Sequence, residues 1–312
     1  MQWGHIKTLF ILSFLILNIY LVSAFIDRQQ DVSYLDNQEL PIEDQLAAEK
    51  ITYGDINVDV TESTYISVIR KLLTSKEIEL LNDKEDQTIE VIDKNMIVAA
   101  LEKPVSIPKN ANTEIIEELV QGKVLYGNEY FLWNWNKELN LLVFFQKKEG
   151  QDIYYNENGL LLVYLNDNNE ITHYTQTILG ESEVQGDLVA LNQPTQVIGI
   201  LYKGNYLNRG DEITHVEPGY YSRIATEGGI QVFAPTWKVT VNDERNHFVN
   251  AIEGIVYEND ELEFLQNVMI DNKGRLTSLD DENELRNSMI QELDKRLEID
   301  TRLEIDNRSE TE

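Results

Sequence analysis

Three histidines on predicted strands are the first residues of this chain whose type could support chemistry. His173, His215 and His247 each stand in a short strand-like segment with acidic residues close by in the sequence. Imidazoles and carboxylates together form zinc sites. Histidines on strands also serve as ordinary surface or core residues, which is their more frequent use. We adopt this second interpretation and predict no metal site.

The segment Asp55-x-Asn57-x-Asp59 has the alternating oxygen ligands with which a calcium-binding loop begins. An EF-hand loop also needs glycine at its sixth position and glutamate at its twelfth. Val60 and Ile66 occupy those positions here. The pattern therefore predicts the solvated face of a strand.

Carboxylate pairs are the catalytic groups of glycosidases, but their spacing in this chain does not indicate such an activity. With 55 acidic residues, a pair at any chosen spacing is certain to occur. The sequence contains no HExxH, GxSxG, Walker A or GxGxxG motif, and Gly228-Gly229 falls in a predicted hairpin loop. We predict no catalytic residue, no cofactor and no enzymatic activity.

Charge and cysteine content restrict the function further. The formal net charge is −29. Such a surface repels nucleic acid and anionic lipid headgroups, so we expect no nucleic-acid partner. Cysteine is absent, which excludes disulfides, cysteine-ligated zinc and thiol catalysis. Packing alone must hold the fold.

The uncharged stretch Thr8–Ile26 predicts a single membrane-spanning helix. Its 19 residues cover about 30 Å as a helix, which matches the hydrocarbon core of a bilayer. Lys7 is the only formally charged residue before it, and acidic residues from Asp27 onward follow it. The positive-inside rule places residues 1–7 in the cytoplasm and the bulk of the chain outside the cell.

A cleaved signal peptide is the rival interpretation of this stretch. Lys7 would supply the charged region, Leu9–Val22 the apolar core and Val22-Ser23-Ala24 the cleavage site. However, the apolar run continues past that site to Ile26, and Asn18 interrupts the core. Both features favour an uncleaved anchor.

Asn18 lies next to the centre of the predicted span. An amide in lipid loses its water, and a hydrogen bond to a neighbouring helix would offset part of that cost. The alternative is a bond to a carbonyl of its own helix. We predict that Asn18 contacts a transmembrane partner, together with the apolar residues that share its face: Ile11, Phe14, Leu15, Leu21, Val22 and Phe25.

The rest of the chain predicts an α+β fold of two units, each a helix with an antiparallel sheet. Residues 27–50 read as a juxtamembrane stalk. The first unit, 51–185, opens with a strand over 51–60 and a helix from Thr61 or Ser63 to Leu81. Turns rich in Asn and Gly then separate the remaining elements: strands Thr88–Ile92 and Met96–Ile107, helix Thr113–Gln121, and strands Tyr130–Trp135, Leu141–Gln146, Asp152–Tyr155, Leu160–Leu165 and Ile171–Ile178.

The second unit, 186–270, follows a polar linker predicted at Gly180–Asp187. A helix over Gln193–Leu207 precedes strands near 212–224, 230–233, 235–241 and 247–257. The last two strands form a predicted hairpin, and Val249-Asn250-Ala251-x-x-Gly254 resembles the strand ending of small extracytoplasmic sheet domains of the PepSY and YycI type. The resemblance implies a structural motif in which Trp237 fills the core and Gly254 relaxes a strand end. Its residues are Pro235, Trp237, Asn250 and Gly254.

Residues 271–312 are an acidic tail in this interpretation, either helical or disordered. Leu285, Met289, Leu293 and Leu297 recur at helical spacing, but apolar residues are otherwise sparse. We expect the tail to add little to the core.

The N-terminus also resembles that of a known family. Trp3, Lys7-Thr8, Phe10-Ile11 and the run Phe14–Asn18 are similar to the start of the YycI (WalI) family of Gram-positive bacteria, and the Pro-x-Trp motif at Pro235 agrees with it. The resemblance implies a single-pass membrane protein with an extracytoplasmic domain. It also implies two partners, a YycH-like membrane-anchored protein and a sensor histidine kinase of the WalK (YycG) type that controls cell-wall metabolism.

Two functions follow as hypotheses. In the first, the chain is a non-enzymatic membrane-anchored regulator that binds these partners. In the second, it is an exported wall-associated enzyme or ligand-binding module with an uncleaved signal anchor. The lack of a catalytic motif and the presence of Asn18 in the span favour the first.

Overall fold

The computed structural model describes residues 7, 10–18, 20–22, 40–54, 56, 60–225 and 229–310. They divide into two compact units. The smaller unit comprises Met1–Thr52 and Leu207–Asp211. In it, residues 10–18 and 20–22 are helical, and helix α1 spans Ile42–Ala48. No helix within the described ranges is both long and apolar enough to cross a membrane.

The larger unit comprises Tyr53–Tyr206 and Glu212–Glu312 and is a mixed α+β structure dominated by antiparallel sheet. Its helices are α2 (Ser75–Asn82), α3 (Thr113–Gln121), α4 (Pro194–Lys203), α5 (Glu261–Leu276) and α6 (Glu284–Glu310). The strands are β1 (Thr52–Tyr53, at the boundary of the units), β2 (Glu62–Arg70), β3 (Gln87–Ile92), β4 (Met96–Ser106), β5 (Tyr130–Asn136), β6 (Leu141–Lys148), β7 (Gln151–Tyr154), β8 (Leu160–Leu165), β9 (Glu170–Thr177), β10 (Leu179–Ala190), β11 (Glu212–Ala225), β12 (Ile230–Val241), β13 (Arg245–Asn250) and β14 (Val256–Tyr257).

The strands form one continuous path in the order β10-β2-β12-β11-β7-β6-β8-β9-β4-β3. β5 pairs with β6, β13 with β12, and β14 with β13. The pairing of β7 with β11 is parallel, and it joins the strands before α4 to the strands after it. The strands assigned from sequence to two units therefore share one sheet.

Both faces of the central strands are buried, which explains their nearly continuous apolar sequences. On β6, Leu141, Val143 and Phe145 pack with residues of α5 and α6. The alternate residues Leu142 and Phe144 pack with residues of α2 and α3 on the opposite face. Helices thus cover both sides of this part of the sheet.

The predicted hairpin region is confirmed from β5 to β9, with strand bounds within one or two residues. Short turns with residues at positive φ connect the strands, for example Asn140 at 47° and Asn169 at 59°. Asparagine tolerates this backbone conformation better than most residues, which is why the turns could be read from sequence. The helix predicted over Gln193–Leu207 is confirmed as α4, although α4 spans Pro194–Lys203 and so ends before Leu207.

The helix predicted from residue 61 or 63 to Leu81 is wrong. Residues 62–70 form strand β2, and a separate helix, α2, begins after Thr74. Thr64, Ile66 and Val68 alternate on the buried face of β2, at 7%, 1% and 0% exposure. The apolar residues of this segment fit both the helical and the strand periodicity. Its β-branched residues and its neighbours in the sheet favour the strand.

The polar linker predicted at Gly180–Asp187 is also wrong, because these residues lie in β10. The strand pairs with β2, for example Val184 with Ile66. Backbone hydrogen bonds rather than buried side chains define this strand, so its sequence lacks an apolar signal.

The expectation that the tail adds little to the core is wrong as well. The described tail is helical except for residues 277–283, and Leu285, Met289 and Leu293 of α6 are 4%, 0% and 0% exposed within the main core. The strand predicted over 51–60 is shorter than expected. Among its described residues, Thr52–Tyr53 form strand β1. Asp55, Asn57 and Asp59 lie outside the residues that the structure describes.

Candidate functional site, a charged groove above an aromatic cluster

A surface groove of about 820 Å³ crosses the sheet where β5, β7, β11 and β12 come together. Its walls include the start of α3, the first residue of α5 and the hairpin between β12 and β13. The lining residues are Thr113, Glu117, Phe131, Leu132, Trp133, Asn134, Lys147, Asp152, His215, Glu217, Lys238, Thr240, Asp243, Glu244, Asn246 and Glu261. We call this feature the groove.

Lys238 and Glu217 form the ion pair at its centre. They face each other on β12 and β11, and Lys238 Nζ lies 2.5 Å from Glu217 Oε2. The Lys238 side chain is only 15% exposed, and its ammonium lies 5.4 Å from the centre of the Trp133 ring. The carboxylate and the ring face together stabilise a cation that has lost most of its water.

Asp152 and Lys147 form a second pair, at 3.4 Å across the turn between β6 and β7. Burial raises the pKa of the Asp152 carboxyl, and the charge of Lys147 opposes that shift. Gly219 of β11 lies beside this pair, because a Cβ built there would stand 2.4 Å from Cε2 of Tyr154 and 2.8 Å from the carbonyl oxygen of Asp152. Glycine is thus required where the parallel strands meet.

Glu261, the first residue of α5, joins that helix to β5. Its carboxylate accepts hydrogen bonds from Trp133 Nε1 at 2.9 Å and from Asn134 Nδ2 at 2.7 Å. A carboxylate in the first turn also interacts favourably with the helix dipole. On the opposite wall, Glu117 of α3 accepts a 2.7 Å bond from the backbone N–H of Leu132.

An aromatic cluster forms the floor below these charges. Trp133 contacts the rings of Tyr154 and Phe248 at centroid distances of 5.7 and 6.0 Å. Tyr154 and Phe248 are fully buried and lie 4.9 Å apart. Tilted and edge-on ring contacts of this kind make a rigid base for the groove.

This arrangement supplies fixed charges on a rigid surface, which suits binding. Glu117, Asp152, Glu217 and Glu261 each have a hydrogen-bonding or ionic partner within the chain. With Asp243 and Glu244 they outnumber Lys147 and Lys238, so the groove attracts cationic groups. Sequence reasoning missed the groove. The sequence feature that could have indicated the groove is a charged residue, Lys238, between the core residues Trp237 and Val239.

The three strand histidines do not converge on one site. His215 and His247 pair with Thr240 and Val239, neighbours on β12 whose side chains point to opposite faces. His173 lies 3.3 Å from Ser288 Oγ, and burial lowers its pKa. No group of three or more histidine and acidic residues in the described chain is placed to hold a metal ion.

The predicted structural motif forms a corner beside α4. Trp237 is fully buried, and its indole N–H donates to the carbonyl oxygen of Asn192 at 2.8 Å. Buried Pro235 lies between the part of β12 that pairs with β2 and the part that pairs with β13. Asn250 Oδ1 accepts the backbone N–H groups of Ile252 and Glu253, both at 2.9 Å. Gly254 has φ of 69°, and a Cβ there would lie 2.9 Å from Ile200.

The predicted transmembrane contact residues are exposed where the structure describes them. The exposures of the apolar members are 69% for Ile11, 59% for Phe14, 55% for Leu15, 55% for Leu21 and 57% for Val22. Asn18 is helical and exposed, and Phe25 lies outside the described residues, as do residues 27–39 of the predicted stalk.

Fold and groove together define an α+β protein whose candidate site is a charged binding surface. The chain belongs to the YycI family, since the model of the family described as YycI protein matches residues 29–252. This is a regulatory family associated with the WalK/WalR (YycG/YycF) two-component system.

A crystal structure of an uncharacterized protein from Eubacterium rectale ATCC 33656 is similar to this chain at 11% identity and a TM-score of 0.40. The match covers 68% of this chain and 91% of that one. No curated protein matches the chain.

Proposed function

We propose that this chain is a non-enzymatic, membrane-anchored regulator. It binds a YycH-like membrane-anchored protein and modulates a sensor histidine kinase of the WalK (YycG) type that controls cell-wall metabolism. The observation that carries the proposal is the family match over residues 29–252. The groove is consistent with it, because its carboxylates are engaged in ion pairs and hydrogen bonds that fix a surface for binding.

The proposed location is the cell membrane, with a single span, the N-terminus in the cytoplasm and the bulk of the chain outside. Support comes from the sequence: 19 uncharged residues follow Lys7, and acidic residues follow the stretch. Positions 8, 9, 19 and 23–26 of the span lie outside the described residues.

Replacement of Asn18 tests the partner contact within the span. We expect Asn18→Leu to co-purify less with the kinase and with the YycH-like protein, and to alter expression of wall-hydrolase genes. Interhelical hydrogen bonds in membranes are worth about 0.6 to 1.7 kcal/mol, so the association should weaken about threefold to twentyfold.

Ser13→Leu is the matched control. It also replaces a polar residue of the span, but Ser13 Oγ already donates to the carbonyl oxygen of Phe10 at 3.0 Å within its own helix. We expect this variant to behave as the wild type does. Equal co-purification of the wild type and Asn18→Leu would place the contact outside the span. Failure of the wild type to associate with either protein would overturn the proposed function, and wall hydrolysis by a span-deleted protein would favour the enzyme hypothesis.

A further inference from the structure

Strand β10 is an exposed edge of the sheet. It is the first strand of the path, and within the described residues it pairs only with β2. From Glu183 to Ala190 every residue is exposed, including Val184 at 65% and Leu188 at 66%. An edge of this kind presents unpaired backbone N–H and C=O groups along its outer side.

Other edges of the same sheet are protected. The backbone N–H of Leu132 on β5 is bonded to the Glu117 carboxylate. β3, at the far end of the path, is only six residues long, and Asn283 at the start of α6 donates a 2.9 Å hydrogen bond to Glu90 on it. By contrast, β10 is 12 residues long. Of the features that commonly protect edges, β10 lacks lysine and proline but has carboxylates and two register shifts, so its regular edge is short and selective by charge.

The charges on β10 are all negative. Glu181, Glu183 and Asp187 are exposed, and the strand contains no basic residue. Among the residues of β2 paired with it, only Arg70 is basic, and it lies opposite Leu179 at one end. Glu149 adds another carboxylate beside the strand, since it accepts a hydrogen bond from Ser182. The edge therefore attracts a basic segment.

A bulge limits the length of the usable edge. Pairing with β2 is regular from Ser182 to Gln185, and it resumes only at Val189. Gly186, with φ of 84°, starts the irregular part. A second register shift lies between Leu179 and Ser182, so the regular edge extends from Ser182 to Gln185.

We propose that the outer edge of β10, centred on its regular part from Ser182 to Gln185, accepts an extended segment of a partner protein as an added strand. The segment alternates apolar residues with lysine or arginine, so that it pairs with the backbone while its cations face Glu181, Glu183 and Asp187. This mode of recognition is β-strand addition. The proposal does not require the kinase or the YycH-like protein to be the partner.

A second copy of this chain is a poor occupant of the same edge. Two β10 strands paired antiparallel across Ser182–Gln185 would bring Glu181, Glu183 and Asp187 of each copy close to the same carboxylates of the other. Like charges directly opposite each other destabilise a strand pair. The net charge of −29 on each chain adds a general repulsion.

The test measures binding of labelled peptides to the purified full-length chain by fluorescence anisotropy at about 0.15 M salt. The probe is a peptide of about ten residues that alternates lysine and valine. One comparison peptide has two valines replaced by proline, which removes backbone donors but keeps the charge. We expect the proline peptide to bind at least about tenfold more weakly.

Charge reversal locates the site. The variant Glu181→Lys/Glu183→Lys/Asp187→Lys should bind the lysine-valine peptide at least about tenfold more weakly. A matched control is Glu79→Lys/Asp83→Lys/Glu85→Lys, which makes the same charge change at exposed positions in and after α2. It should retain the wild-type affinity within about twofold.

Hydrogen exchange supplies an independent readout on the wild type, so the test does not depend on a variant. Bound peptide should slow amide exchange at residues 182–185 and leave β5 unchanged. Equal binding of the two peptides, equal weakening by the two triple variants, or unchanged exchange at 182–185 would each overturn the proposal. So would a wild-type dimer whose β10 amides are already protected, since this would assign the edge to a second copy.

Discussion

The indole nitrogen of Trp133 donates a 2.9 Å hydrogen bond to Oε2 of Glu261, and this contact joins β5 to the first residue of α5. The two residues are 128 positions apart in the chain. One wall of the groove and the start of the C-terminal helices are thus fixed by the same carboxylate.

We expect Glu261→Ala to destabilise the protein by about 2 kcal/mol, because it leaves the N–H groups of Trp133 and Asn134 without their acceptor. Urea unfolding followed by tryptophan fluorescence measures the effect. Glu263→Ala is the control, since Glu263 is also in the first turn of α5 but is exposed. If both variants unfold at the same urea concentration, the carboxylate does not hold this junction.

Helix α6 should contribute to the stability of the core. Met289→Ala removes a side chain that is 0% exposed among residues of the sheet and α5, and we expect a loss of about 2 to 5 kcal/mol. The exposed Gln291→Ala on the same helix should change little. Thermal unfolding is the measurement. An unchanged midpoint for Met289→Ala would mean that α6 is detached from the core in solution.

Glu77 should make the stability depend on pH in the acid range. Burial alone would raise its pKa, but hydrogen bonds from Tyr126 and Thr74 and the nearby Lys71 lower it to about 2 from an ordinary value of 4.5. A lowered pKa in the folded state stabilises the protein above pH 4.5. That contribution disappears as the pH falls through the range from 4.5 to about 2.

The matching experiment compares Glu77→Gln with wild type by denaturant unfolding across this pH range. We expect the variant to be less stable by about 2 kcal/mol near neutral pH, and the difference to shrink as the solution is acidified. Glu79→Gln, at an exposed position of the same helix, should follow the wild type throughout. A constant difference at all pH values would exclude an ionised Glu77 as the cause.

The proposed orientation can be tested with a single cysteine, because the chain has none of its own. Ser33 follows the apolar stretch in the sequence. We expect an impermeant maleimide to label Ser33→Cys in intact cells. Labelling only after the membrane is broken would reverse the orientation, and a mature chain that starts at Phe25 would replace the anchor with a cleaved signal peptide.

Local sequence determined the hairpin region. Asn140 and Asn169 mark turns because asparagine adopts positive φ at low cost, and the apolar runs between turns are long enough to be strands. Neighbouring residues also predicted α3 correctly. Asn112 caps this helix by accepting a hydrogen bond from the backbone N–H of Ile115 at 3.1 Å. Such features depend on a few adjacent residues, so they can be read without the fold.

Pairing between distant segments decided what local patterns left ambiguous. Residues 62–70 carry both a helical and a strand pattern, and β12 on one side and β10 on the other make them a strand. The polar residues of β10 gave no sign of a strand, because its pairing uses the backbone. The sparse apolar row of α6 is sufficient for burial because the sheet and α5 supply the rest of that core.

The sequence by itself determined the charge of the surface, the absence of cysteine chemistry, the apolar stretch near the N-terminus and the turns of the hairpin region. Only the tertiary structure decided that Lys238, Glu217, Asp152 and Glu261 meet in one groove and that β10 is left as an edge. The physical reason is that a charged residue on a strand has the same sequence signature whether it faces solvent or a partner. Its neighbours are set by strand order, which depends on contacts between segments far apart in the chain.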